Sequence, residues 1–163
     1  MVGSATAMYT DTIRGRVQDI KIGLLKLVYA KPSGKILGVH ILGDDACELI
    51  HYGTALAQSG KTVYEVLGTM FAAVTFHELF KVAALKAVND LDKDKWKNVL
   101  AKIGVDDNKM MKVDDVKPGL LAAGLSFDDV SEICNAIRSP GSPLVQLELV
   151  LNQCSKLRPP ASS

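Results

Sequence analysis

The stretch GLLKLVYAKPSGKILGVHILGDDACELIHYGTALAQ, residues 23–58, decides the fold of this 163-residue chain. An apolar, β-rich run comes first, KPSGK then places proline and glycine where a turn needs them, and ILGVHILG follows as a second apolar run. This order predicts a β-hairpin. Asp44 or Asp45 then caps a predicted helix that ends at Gly60 and carries apolar residues at every third or fourth position. We therefore expect a sheet with a helix packed on it.

The segments on either side extend this fold. Residues 14–21, RGRVQDIK, predict a third strand or the entry to one, whereas residues 1–9 are small and polar and predict an N-terminal tail. Thr62 is the predicted N-cap of a short helix with the sequence VYEVLGTM. Thr75 is the predicted N-cap of a longer helix, and Glu78, three residues later, completes a capping box.

The pattern changes at the charged junction DLDKDK, residues 90–95. No strand is predicted beyond it. We therefore expect an α+β chain, with an antiparallel sheet and packed helices over residues 10–91, a small all-α extension over residues 92–157 and a tail over residues 158–163. The helical candidates of the extension are KWKNVLAKIG, VKPGLLAAG, FDDVSEICNAI after the cap Ser126, and LVQLELVLNQC.

Composition narrows the class of protein. Hydrophobic residues make up 48% of the chain, enough to bury a core, and the formal net charge of +1 with interspersed signs argues against a nucleic-acid partner. Cys47, Cys134 and Cys154 are far apart and form no CxxC pair, which indicates structural thiols in a reducing compartment. The longest apolar run, residues 66–76, is far shorter than the roughly 20 residues of a membrane span. We expect an intracellular globular protein without a transmembrane segment.

The hairpin and its helix, followed by FAAVTFHELFKVAALKAVNDL, resemble the C-terminal dimerisation domain of the pyridine nucleotide-disulfide oxidoreductases. That family includes dihydrolipoamide dehydrogenase, glutathione reductase and the soluble transhydrogenases. The resemblance spans residues 10–91. It implies an antiparallel sheet with helices packed against it, and a surface at which two copies meet while each closes the flavin site of the other subunit.

The working segment of the family reads His-Pro-Thr-x-x-Glu, in which the histidine is the acid–base group and the glutamate orients it. Here Thr75 and Glu78 match the threonine and the glutamate, but Ala73 stands at the histidine position and Val74 at the proline position. His77 lies next to Glu78, and adjacent residues of a helix point about 100° apart. The chain also has no GxGxxG turn and no Cys-x-x-x-x-Cys pair. We therefore predict no catalytic residue, no cofactor and no metal site.

Residues 105–133, VDDNKMMKVDDVKPGLLAAGLSFDDVSEI, resemble an EF-hand loop and its exit helix. With Val113 at loop position 8, Asp106 falls at position 1, Met110 at position 5 and Lys117 at position 12, where calcium needs oxygen ligands. A second loop, RSPGSPLVQLEL, has Val145 at position 8 and no carboxylate at positions 1, 3, 5 or 12. Both loops are predicted to be empty. A plain helical bundle is the alternative.

Three smaller patterns are also present in the chain. Glu48-x-x-His51 has the spacing of a di-iron helix, but such sites need a second copy and further glutamates, so a packed helix is the prediction. His40 falls within a predicted strand. Trp96, on an otherwise charged helix start, is expected either to join the two halves or to meet a partner.

These observations predict a non-catalytic accessory subunit. An interface domain without its catalytic domains leaves apolar faces open, and something must cover them. We expect protein partners, either a homodimer or a larger assembly in a plastid or mitochondrion, with any membrane association made through a partner. One alternative is the C-terminal piece of a flavin-dependent NAD(P) transhydrogenase. A second is a calcium-responsive adaptor that uses the second half.

Overall fold

The computed structural model describes residues 1–106, 108–138 and 142–157. Two units are distinguished, Met1–Leu91 and a second that begins at Asp92. The elements that begin in the first unit are β1 (Val2–Met8), α1 (Ile13–Val17), β2 (Leu24–Ala30), β3 (Ile36–Leu42), α2 (Ala46–Gln58), α3 (Val63–Gly68) and α4 (Glu78–Ile103).

The sheet of the first unit has three antiparallel strands in the order β1-β2-β3. The predicted hairpin is confirmed, and Ala5 pairs with Leu27, which pairs with Val39. The prediction of a tail over residues 1–9 is wrong, because this segment forms β1 along β2. The prediction of a strand over residues 14–21 is wrong as well. There the hydroxyl of Thr12 accepts a hydrogen bond from the Gly15 amide and starts α1 instead.

One face of the sheet forms the core of the first unit. Alternate residues of each strand point to this face because the side-chain period of a strand is two. Helix α2 packs against β3, and α4 contributes a buried apolar stripe. The fully buried side chains from the sheet are Ala7, Leu25, Leu27, Tyr29 and Ile36, and those from α4 are Leu79, Phe80, Ala83, Ala84 and Ala87.

The helix boundaries between residues 46 and 68 follow the sequence signals closely. Gly60 takes a φ of +67°, a conformation that glycine adopts without a steric cost, just past the end of α2. The predicted capping role of Thr62 is confirmed, since its hydroxyl accepts from the Glu65 amide while the Glu65 carboxylate accepts from the Thr62 amide. Asp45 precedes α2, but its side chain makes no capping hydrogen bond.

The second unit contains two short strands as well as helices. Its further elements are β4 (Met110–Lys112), α5 (Val113–Ala122), α6 (Phe127–Ile137), β5 (Leu144–Gln146) and α7 (Leu147–Cys154). Strands β4 and β5 pair antiparallel, with Met111 opposite Val145. The prediction of no strands in this half is therefore wrong. The choice of Val113 as the counterpart of Val145 is wrong too, because the partner lies two residues earlier.

Trp96 is fully buried at the centre of the second unit's core. Its indole Nε1 donates to the Leu157 carbonyl at 3.3 Å. This side chain therefore belongs to the interior of its own unit rather than to a surface that meets a partner. The predicted tail over residues 158–163 lies outside the described residues. None of the described helices is both long and apolar enough to cross a bilayer.

Candidate functional site

The segment between α3 and α4 carries the residues that match the working segment of the resembled family. It exposes apolar side chains, with Met70 95% and Val74 48% accessible, and Ala73 is exposed between them. Val74 has a φ of +61°, which is a strained conformation for a β-branched residue. A proline, whose ring fixes φ near −65°, does not fit this backbone. The loop thus has a conformation of its own at the proline position.

The predicted capping box of Thr75 and Glu78 is absent. The Thr75 hydroxyl donates to the carbonyl of Ala72 at 2.9 Å, so it turns back into the loop instead of accepting from the helix. The chain enters α4 through backbone hydrogen bonds that span three residues, from the Leu79 amide to the Phe76 carbonyl and from the Phe80 amide to the His77 carbonyl. Glu78 is the first residue of α4.

The carboxylate of Glu78 has one oxygen, Oε2, that is buried without a hydrogen-bond partner among the described residues. Buried acceptors of this kind are rare in native proteins, and each calls for an explanation. In the resembled family this glutamate orients an imidazole. Ala73 offers only a methyl group, so the hydrogen-bond donor that the family supplies is missing from this chain. The sequence pattern identified the pair, and the structure adds that Oε2 of the half-buried glutamate is shielded from solvent.

His77 contacts aromatic rings. Its ring centroid lies 6.2 Å from that of Tyr52 and 6.3 Å from that of Phe80. Tyr52 in turn meets Phe80 edge-on at 4.9 Å and Phe71 edge-on at 5.7 Å. No hydrogen bond joins His77 to Glu78 in the described part of the chain. The imidazole therefore extends an aromatic layer between α2 and the start of α4, where such edge-on pairs add stability.

A second aromatic contact fixes the other side of the segment. Phe76 is buried against Tyr9, with ring centroids 4.7 Å apart, and the Arg14 guanidinium lies 4.4 Å above the Phe76 ring. Burial raises the pKa of Tyr9, and the neighbouring carboxylates of Asp44 and Asp45 raise it further. The Tyr9 hydroxyl donates to the carbonyl of Asp44 and stays protonated at neutral pH. Sequence reasoning missed these residues, because nothing local links residues 9, 14 and 76.

The described residues contain no group of three histidine, cysteine, aspartate or glutamate side chains that could hold a metal ion. Glu48 and His51 are both exposed on α2, and His40 is exposed on β3. A mainly apolar groove of about 530 Å³ lies between α2 and α3, with Tyr52 and Lys61 among its lining residues.

Known proteins share the first unit of this chain. The family "Pyridine nucleotide-disulphide oxidoreductase, dimerisation domain" matches residues 2–84, just over half of the chain. The soluble pyridine nucleotide transhydrogenase of Mycobacterium tuberculosis is 36% identical over 85 residues, which are 52% of this chain and 18% of that protein. Those of Chromohalobacter salexigens and Colwellia psychrerythraea are 33% and 34% identical over 88 residues, which are 52% of this chain and 19% of each.

The aligned region is thus a small part of each relative. The family match begins at β1 and ends within α4. Its start agrees with the strand found at residues 2–8 rather than with the tail that the sequence pattern predicts. The chain therefore belongs to the dimerisation-domain family of the pyridine nucleotide-disulphide oxidoreductases.

Proposed function

We propose that this chain supplies the dimer-forming part of a flavoenzyme similar to the soluble pyridine nucleotide transhydrogenases. The observation that carries the proposal is the 36% identity over 85 residues to enzymes of that name. The rest of those enzymes has no counterpart in the aligned region, because it covers 18% of their length. The flavin and nicotinamide sites belong, in this proposal, to the protein regions that the chain meets.

The surface of the first unit suits such a role. The sheet face opposite the core exposes Met8 and Leu42, and register places the half-buried Leu24 between them in one row across the three strands. The loop before α4 exposes Met70 and Val74 at its tip. Exposed apolar surface of this kind favours association, because each Å² removed from water contributes about 25 cal/mol. We assign these two surfaces to the contacts that complete the enzyme.

The residue at position 73 favours hydride transfer over disulfide reduction. Moving a hydride from one nicotinamide nucleotide to another consumes no net proton, whereas reducing a disulfide to two thiols with a nicotinamide hydride donor consumes one. Ala73 has no group that could deliver a proton. An acid–base group at this position is thus dispensable for transhydrogenation and is needed for the thiol chemistry.

The test is to tag the protein in its native source and to measure what migrates with it. We expect a dimer-containing species by light scattering, with flavin absorbance in the same peak and hydride transfer from NADPH to an NAD⁺ analogue. A colourless peak without this activity would overturn the transhydrogenase proposal. A monomeric mass at micromolar protein concentration would overturn the dimer-forming role itself.

A non-catalytic accessory subunit is the second candidate, and the absence of an acid–base group at Ala73 favours it. In that case the same experiment gives a stoichiometric protein partner and no flavin. The two candidates therefore differ in the colour and composition of one purified peak. The organelle and the identity of a larger assembly stay predictions.

For the second unit we propose a helix–strand–helix pair that needs no bound calcium. Asp106 uses its carboxylate within its own loop, where Oδ1 accepts from the Met110 amide at 2.6 Å. The Asp106 amide also donates to the Met110 carbonyl at 2.9 Å. These two bonds hold Asp106 and Met110 together without a cation. A saturable micromolar heat on calcium titration would contradict this proposal and support a calcium-responsive adaptor.

A further inference from the structure

The second unit contains two of the three cysteines of the chain, and both belong to one apolar cluster. Cys154, the last residue of α7, is fully buried, and Cys134, on α6, is half-buried against the same core. Helices α6 and α7 pack directly on each other. Cys47, by contrast, is exposed on α2, and its Sγ lies 3.9 Å from a carboxylate oxygen of Glu48.

An internal repeat explains where these two side chains lie. Adding 34 to the residue numbers of β4 gives those of β5, so that Met111 corresponds to Val145. The same shift carries the end of α4 onto the end of α6, and the start of α5 onto the start of α7. It also carries Leu100 onto Cys134 and Leu120 onto Cys154. Because both leucines are core residues of the first repeat, the cysteines occupy the matching core positions of the second.

The electrostatic surroundings give the two thiols different roles. Burial raises the pKa of Cys154 to about 12, and the nearby charge of a Cys134 thiolate raises it as well. Burial also raises the pKa of Cys134, but the cations of Lys117 and Arg138 act against that rise. Cys134 is therefore the more accessible of the two thiols, and an oxidant in solvent reaches it first. Cys154 is a protected second thiol in the same core.

We propose that Cys134 and Cys154 form a reversible disulfide by exchange with a low-molecular-weight disulfide such as oxidised glutathione. Cys134 loses its proton to solvent and attacks one sulfur of the oxidant, which releases one glutathione thiolate and leaves a mixed disulfide. The Cys154 thiolate then attacks the Cys134 sulfur and displaces the second glutathione. Two electrons pass from the protein thiols to the oxidant, which becomes two glutathione molecules. The product joins α6 to α7.

Such a bond needs a local opening at the end of α7 before the second step. Cys154 is the final residue of that helix, and helix ends open more readily than helix centres. The second step is therefore expected to be slow, and the mixed disulfide at Cys134 is expected to accumulate first. Once formed, the bond restricts the unfolded chain and stabilises the second unit alone.

The test uses the full chain equilibrated with oxidised and reduced glutathione at several ratios, followed by peptide mapping under non-reducing conditions. We expect a peptide pair that joins Cys134 to Cys154, with Cys47 carrying only glutathione. The C47S variant is the matched control and should form the same pair. Oxidation should raise the melting temperature of the second unit, read from Trp96, by several degrees in the wild type and in C47S.

The C134S and C154A variants should show no such rise, and C154A should hold glutathione on Cys134. Because two variants are compared, the test still works if one of them fails to fold. A complete absence of the joined peptide, while Cys47 is fully glutathionylated, would overturn the proposal. A joined peptide that includes Cys47 instead would also overturn it.

Discussion

Replacing Glu78 by methionine is expected to stabilise the first unit. Its Oε2 atom is buried and has no hydrogen-bond partner among the described residues, and leaving such a group unsatisfied costs about 1–3 kcal/mol. Methionine has a similar length, no polar atom and an equally good helix propensity. The carboxylate also gains about 0.3–1 kcal/mol from its place in the first turn of α4, and the variant loses this contribution. The net expectation is a gain of roughly 0.5–2 kcal/mol in the free energy of unfolding.

The assay is urea unfolding followed by probes that separate the two units. All four tyrosines lie at or before residue 64, and the single tryptophan is Trp96, so near-ultraviolet tyrosine ellipticity follows the first unit and tryptophan fluorescence the second. E78M should shift the tyrosine transition to higher urea and leave the tryptophan transition in place. E78Q keeps a polar head at the buried position and loses the helix-dipole contribution, so it should lower stability by about 0.3–1 kcal/mol.

Glu48 offers a matched control for this substitution. It also lies in the first turn of a helix, but it is exposed. E48M loses the helix-dipole contribution and gains nothing from burial, so it should lower stability by about 0.3–1 kcal/mol. If E78M proves less stable than E48M, the Glu78 carboxylate contributes to the folded state and the reasoning from its unpaired oxygen fails.

Three further substitutions test other parts of the structure. A73H supplies an imidazole, and if residue 73 faces Glu78 as the family pattern implies, it should stabilise the wild type by about 1.5–3 kcal/mol more than it stabilises E78M, in the same urea assay. W96A removes a fully buried side chain and should cost the second unit about 3–5 kcal/mol, with a smaller loss in W96F, as measured by amide hydrogen exchange. The Asp11 carboxylate accepts a hydrogen bond from Lys86 at 2.7 Å, which lowers the pKa of Asp11. The contribution of this ion pair to the free energy of unfolding is therefore complete above about pH 4, and it disappears as the pH falls through the lowered pKa. D11N should therefore make the free energy of unfolding less dependent on pH below about pH 4. At neutral pH it should cost under about 1 kcal/mol, because the ion pair is partly exposed.

Local signals succeeded where the chemistry of one short segment determines its shape. The hairpin follows from a turn of proline and glycine between two apolar runs, and α3 follows from the reciprocal bonds of Thr62 and Glu65. The same kind of signal failed at Thr75. Its hydroxyl can either accept a capping hydrogen bond from the helix or donate one to the Ala72 carbonyl, and packing selected the second.

Pairing between distant segments accounts for the missed strands. Small residues such as Ala5 and Ala7 give β1 a weak apolar alternation, yet β2 provides a complete row of partners for it. Strands β4 and β5 have three residues each, too few to show a period, and they exist because Met111 and Val145 lie side by side. In both cases the hydrogen-bond partners are far along the chain and no local pattern specifies them.

The sequence by itself determined the family of the first unit, the absence of a proton-carrying side chain at position 73, and the lack of a dinucleotide-binding glycine turn, because each depends on residue identity alone. Tertiary structure alone decided that β1 joins the sheet, that Oε2 of Glu78 is buried with no partner in the described part of the chain, and that His77 lies with Tyr52 and Phe80. It also decided that two cysteines 20 positions apart share one core. The physical reason is that burial and contact depend on how segments pack in space, whereas side-chain chemistry is a property of each residue wherever it lies.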